Sequence, residues 1–367
     1  MKAILISISV ITILVISCKK GGNDKVDTAG NFNRQNILIN MADSLIIPSY
    51  QDFQVKADAM EVKVKALTDN PSLTTLSEAR LAWKNAYVAW QKIALWDFGP
   101  AMTQSFISNA NTYPTNTTSI ESIIAGGAYD LASPFSKSIQ GFPAIEFLLY
   151  GNNKTNAEIV ASFSNTSKVS YINVLTKRIT DINKSVTSAW TTSYRQSFIN
   201  ASGVDLSSSL GQLFNNTFLP YIEVHNREAK FGIPGGQRTG TPLPGNAEGY
   251  YSRDFSKELA LASLNAYKAA WYGTGFTTNQ SGSSLNNYLI FMDRKNSTGF
   301  ASQLATKFQT IESKINALPA SLRSAAEANP ASLNEVWMAY QQMVVQLKTD
   351  VASALSITVA YADTDGD

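Results

Sequence analysis

LSEARLAWKNAYVAWQKIALW, residues 76–96, sets Leu76, Trp83, Tyr87 and Trp90 on or near one face of a helix. The spacing of seven, four and three residues is that of an amphipathic helix, which buries its apolar stripe against other helices. Gly99-Pro100 closes the run. The same periodicity covers 36–67, where Pro48 is expected to kink or interrupt the helix, and returns over 169–192, 206–231, 256–272, 284–293, 298–318 and 332–355. Shorter helices are expected from about Thr118 and at 141. Each run is bounded by Gly, Pro, Asn or Ser, and only ITVAY, residues 357–361, tempts a strand reading. The expectation is an all-α protein. About 330 residues exceed what one compact core usually holds, so two helical-bundle lobes are expected, dividing near 195–205.

The chain opens MKAILISISVITILVISC: one lysine, an apolar run of about sixteen residues, then Val15-Ile16-Ser17-Cys18. The run is shorter than the twenty or so residues of a membrane span and has the arrangement of a secretory signal peptide. Its ending resembles a bacterial lipobox. Residues 1–17 are therefore expected to be removed, Cys18 to receive lipid, and the polar, glycine-containing 18–35 to form a tether. This places the protein in a bacterial envelope, lipid-anchored at the outer membrane, with the periplasmic and surface sides both open. Losing Lys2 leaves 29 basic against 28 acidic side chains. Neither the strong basic excess nor the stripe expected of a nucleic-acid binder is visible, and nucleic-acid binding is set aside.

Cys18 is the only cysteine and His225 the only histidine. A zinc site of three histidines, or of two histidines and a glutamate, is impossible within one chain. Cysteine nucleophiles, Cys/His zinc and c-type haem attachment are excluded with it. No G-x-S-x-G elbow or phosphate-binding P-loop occurs.

GFPAIEFLLYG, residues 141–151, carries one acid, Glu146, in an apolar helix start. The segment resembles the G-x-H-x-x-E signature of the imelysin family of bacterial envelope proteins, with Gly141 and Glu146 matching and Pro143 at the histidine position. LINMADSLIIPSYQDF, ARLAWKNAYVAWQKIALWDFGP, NTYPTNTTSIESII, REAKFGIPGG and EGYYSRDFSKELALASLNAYKAAWYG resemble further family segments in the expected order, from about Asn36 to the C-terminus. The resemblance implies two similar helical bundles with the signature facing a cleft between them. It also implies a metal held by the histidine and glutamate, metallopeptidase activity and a link to iron acquisition. Pro143 puts the enzymatic role in doubt.

On a helix Pro143 and Glu146 share a face. Proline at the first helical position is a good initiator, so the signature has exchanged a ligand for a backbone constraint. Glu146, among Phe142, Pro143, Leu149 and Tyr150, is a partly desolvated acid. Either it bonds a neighbouring helix or Arg80, Arg227 or Lys230, or it is a cleft acid holding a cation or basic ligand.

In YIEVHNREAKFGIPGG, residues 221–236, His225 and Glu228 spell H-x-x-E away from the family position. With Glu146 they make a chemically reasonable set for iron or another divalent ion; the bland alternative is a charged helix end before Gly232-Ile233-Pro234. Loop 237–255 carries Glu248, Tyr250, Tyr251 and Ser252, which either line a ligand pocket or cap a core. Asp363, Asp365 and Asp367 resemble the start of a calcium loop or a frayed acidic tail closing the chain at 362–367.

The function expected is a non-catalytic envelope component related to iron or haem uptake, with its ligand in the inter-lobe cleft near Gly141, Pro143, Glu146, Glu248 and Tyr251. The alternatives are a metal-dependent peptidase with a rebuilt site of Glu146, His225 and Glu228, and a scaffold for other envelope proteins.

Overall fold

The computed structural model describes residues 32–360. Among these no strand forms, and the one β-type pairing is an isolated bridge between Thr274 and Ser281. The expectation of an all-α fold holds. Cys18 and Asp363, Asp365 and Asp367 lie outside the described residues, as do the signal sequence and most of the tether.

Helix α1 (Ile47–Asp69) folds back onto α2 (Leu73–Ile93) through a turn in which Ser72 and Thr75 form a reciprocal capping box. Such a box satisfies two of the amide donors that every helix start leaves free. Trp83, Tyr87 and Trp90 of α2 are all buried. Helix α3 (Gly141–Tyr150) packs on α2 and on α4 (Thr166–Ala189), which also packs along α1.

In the C-terminal half a π-helix (Tyr221–Gly232) packs on α8 (Pro330–Gln346). Helices α5 (Ser256–Tyr272), α6 (Leu285–Asn296) and α7 (Phe300–Asn316) complete that group. Contact between α2 and α5 ties the two groups together.

Pro48 does not interrupt its helix. Met41–Ile46 winds as a π-segment and α1 follows directly, with Pro48 in its first turn. A proline cannot bond the carbonyl four residues back, here that of Ser44, and the amide of Phe276 takes that carbonyl at 2.7 Å. ITVAY is no strand over its described residues. The Asn215 amide stands in for a strand partner, donating to the Thr358 carbonyl at 2.9 Å and accepting from the Ala360 amide at 2.8 Å.

The run expected as one helix over 206–231 is instead a short α-turn, a π-segment Leu213–Phe218 and the twelve-residue π-helix. Pro220 supplies no amide inside this run, so the α-type bond to the carbonyl four residues back cannot form there.

Candidate functional site

Gly141 begins α3 with φ +79°, and a Cβ there would stand 2.2 Å from the Ala110 carbonyl oxygen. Only glycine combines that dihedral with so close an approach. Its match to the signature thus has a backbone reason. Pro143 is the third residue of α3, not the first, but still lies in the turn whose amides have no intrahelical acceptor. The indole N–H of Trp83 donates to the Phe142 carbonyl at 3.1 Å, and the Tyr87 ring stacks on Phe142 at 4.5 Å.

Glu146, 1% exposed, accepts hydrogen bonds from the backbone amides of Tyr251 (3.2 Å) and Ser252 (2.8 Å). None of the three expected basic partners reaches it. Arg80 donates to the Leu149 carbonyl and Asn156, Arg227 pairs with Glu223 and Glu228, and Lys230 pairs with Glu248. Burial pushes the Glu146 carboxyl up to about 7, with the amides of Ser252 and Tyr251 acting against that rise. Tyr251 packs half-buried against Phe147, and Tyr250 lies under the Arg323 guanidinium. Tyr251 therefore packs on the core, with Glu146 pinning the backbone at Tyr251 and Ser252.

Glu248, also 1% exposed, is the centre of a second cluster. One carboxylate oxygen accepts from Gln91 (2.9 Å) and Asn111 (2.8 Å), and the other from the Lys230 ammonium, which also donates to Gln91 at 3.0 Å. Burial pushes Glu248 up, but Lys230 and the two amides outweigh it and hold the carboxyl below the usual range. Tyr221 donates to the Gln91 carbonyl at 2.9 Å. This cluster opens on a cavity of about 270 Å³ between α2, the segment 107–113 and the π-helix, whose polar lining includes Gln91, Asn111, Tyr113, Tyr221, His225 and Lys230.

The π-helix decides which side chains reach the cavity. Its hydrogen bonds join residues five apart, so His225 stands over Lys230 and both face inward. Glu228 turns away to Arg227, Arg238 and the Trp337 indole. The His225 imidazole is half-buried against the Tyr221 ring. Burial and the neighbouring Lys230 push it down to about 4, so it is neutral at ordinary pH.

The imelysin (Peptidase_M75) family model matches residues 46–351. The chain belongs to the imelysin family. A 108-residue stretch, 29% of each chain, is 28% identical to the iron-regulated protein A of Synechococcus elongatus. A solved structure described as an iron-regulated protein A precursor, from Parabacteroides distasonis ATCC 8503, superposes with a TM-score of 0.72 at 18% identity, covering 90% of this chain and 97% of that one. An imelysin-like protein from Psychrobacter arcticum 273-4 does so with 0.70 at 19%, covering 91% and 99%. At these identities the two structures establish the shared fold.

The metal that the imelysin signature implies does not fit the residues present. Pro143 has no donor atom, and Glu146 already accepts two backbone amides. The rebuilt set of Glu146, His225 and Glu228 is not brought together either, because the π-winding separates His225 from Glu228 and each acid serves its own network. Among the described residues no group of three or more His, Cys, Asp or Glu is placed to hold a metal ion.

Gln91, Asn111, Tyr113 and Tyr221 are among the cavity residues that escape the sequence reading. Gln91 leaves a trace, since it falls four residues after Tyr87 on the buried face of α2, where an uncharged polar side chain needs a partner. Lys230 is anticipated as a partner for the wrong acid.

Proposed function

We propose that this imelysin-family chain is a non-catalytic binding component of a bacterial envelope, connected with iron supply and tethered to the membrane by lipid on Cys18. Its ligand sits in the cavity beside Glu248. The observation that carries this reading is the buried cluster of Glu248, Lys230, Gln91 and Asn111 opening on that cavity. Fixed donors and acceptors of this kind are preorganised for hydrogen-bonded recognition. Glu146 and Glu248 are already engaged, the first by backbone amides and the second by Lys230, which suits holding a ligand better than activating a water. The iron connection comes from the similarity to iron-regulated protein A. An oxygen-rich chelate suits the lining, with Tyr113, His225 and Lys230 facing its oxygens. Its partners in the envelope are other iron-uptake proteins.

Calorimetric titration of residues 19–367 with ferric citrate tests this. The expected result is saturable binding at about micromolar affinity or tighter, weakened about tenfold or more, some 1.4 kcal/mol, by His225→Ala and by Tyr113→Phe. Absence of binding, or binding indifferent to both substitutions, overturns it.

A further inference from the structure

A larger cavity, about 530 Å³, lies on the other side of α2, between α1, α5 and the loop 273–284. It shares no lining residue with the cavity beside Glu248. Its volume is within the range of sites that hold small organic molecules. The space arises from α5, which presents Ala262, Ala266 and Ala269 at helical spacing where a bundle would ordinarily insert large side chains.

Its walls are preformed. The loop is fixed at both ends, because Asn40 donates to the carbonyls of Gly273 (2.9 Å) and Ser283 (3.1 Å). In the middle, the Phe276 amide holds the Ser44 carbonyl that Pro48 leaves without a partner. Phe276 and Trp96 add aromatic surface to the lining. Trp96 is 2% exposed, and its indole N–H is buried without a hydrogen-bond partner.

The charges around the cavity set the ligand class. Asp52, Glu258 and Lys92 are its only charged lining residues, and none of them forms an ion pair among the described residues. The Lys92 ammonium lies 5.0 Å over the Phe276 ring and so has an aromatic partner. Glu258 stands in the first turn of α5, where the helix dipole favours its anion. Asp52 has no comparable partner. The two carboxylates thus leave an excess of negative charge beside an apolar, aromatic hollow.

We propose that this cavity is a second binding site, for a small organic cation that joins a protonated amine to an apolar or aromatic body. The amine lies against Asp52 and Glu258, and the body fills the hollow between Trp96, Leu261 and the α5 alanines. The site is independent of the one beside Glu248.

Phenethylamine is the probe, titrated into residues 19–367 and followed by calorimetry, with 2-phenylethanol as the uncharged analogue. Saturable binding is expected below about 10 mM. The double variant Asp52→Asn/Glu258→Gln changes half-exposed and exposed side chains and keeps the fold, as circular dichroism would verify; it is expected to weaken binding at least fivefold. Ala266→Leu, which fills the hollow, should do the same, and 2-phenylethanol should bind at least fivefold more weakly than the amine. No saturable binding by the unaltered protein, or less than a fivefold change in any of these three comparisons, overturns the proposal. Ferric citrate binding is expected to be unchanged in the double variant, so failure of one site is distinguishable from failure of the other.

Discussion

Glu146 is the residue on which a family signature and this chain's own structure diverge. Its carboxylate receives the backbone amides of Tyr251 and Ser252, so the acid retained from the signature holds a loop. Raising a carboxyl from 4.5 to about 7 means that the folded state binds more protons than the unfolded one between those values. Stability from this group is full below pH 4.5 and is lost as pH rises to 7, by about 3 kcal/mol. Glu146→Gln should remove that loss, so the variant gains relative to the unaltered protein between pH 5 and pH 8 in urea unfolding. His225 has the opposite sign. Held down at about 4 from 6.5, it costs stability as pH falls from 6.5 towards 4, and His225→Gln should protect the fold at pH 4.5 relative to pH 7. Gly141→Ala meets both a left-handed φ and the Ala110 carbonyl, and should destabilise by about 2 kcal/mol or more in the same assay. Gly141 and Glu146 are legible from the sequence as special positions. Their roles are not, because the partners are backbone atoms more than thirty and a hundred residues away, respectively, and backbone leaves no pattern of residue types to read.

Among the elements, α2 and the π-helix teach opposite lessons. The buried face of α2 is readable because Trp83, Tyr87 and Trp90 repeat at the α-helical period. The π-helix is misread for the same reason: an assumed α-period sends His225 and Glu228 to one side, whereas bonds between residues five apart place His225 with Lys230. One twelve-residue run mixes too few apolar and polar positions to distinguish the two periods. The winding joins Lys230 to Glu248, and this pair is 3% and 1% exposed at its side chains. Lys230→Met would leave Glu248 buried without its counter-charge and should cost roughly 3–5 kcal/mol. Lys230→Met/Glu248→Gln should recover a large part of that loss, which chemical denaturation of the two variants would measure. If the single variant loses less than the double one, Lys230 and Glu248 do not stabilise the fold as a charge pair.

For the whole molecule, the all-α class follows from periodicity, and the imelysin family follows from a match spanning residues 46–351. The two cavities do not follow from either. They depend on how α1, α2, α5 and the π-helix stack, and on alanines and amides that look unremarkable along the chain. In this member of the family the signature's acid holds the loop at Tyr251 and Ser252, and the proposed function assigns ligand recognition to the hydrogen-bonding cavity beside Glu248. The most direct test is the metal content of residues 19–367, purified without chelator, by elemental analysis of the unaltered protein and of Glu146→Gln. The expected result is well under one equivalent of iron or zinc, the same in both proteins. A stoichiometric metal that Glu146→Gln removes would contradict it and restore Glu146 as a metal ligand.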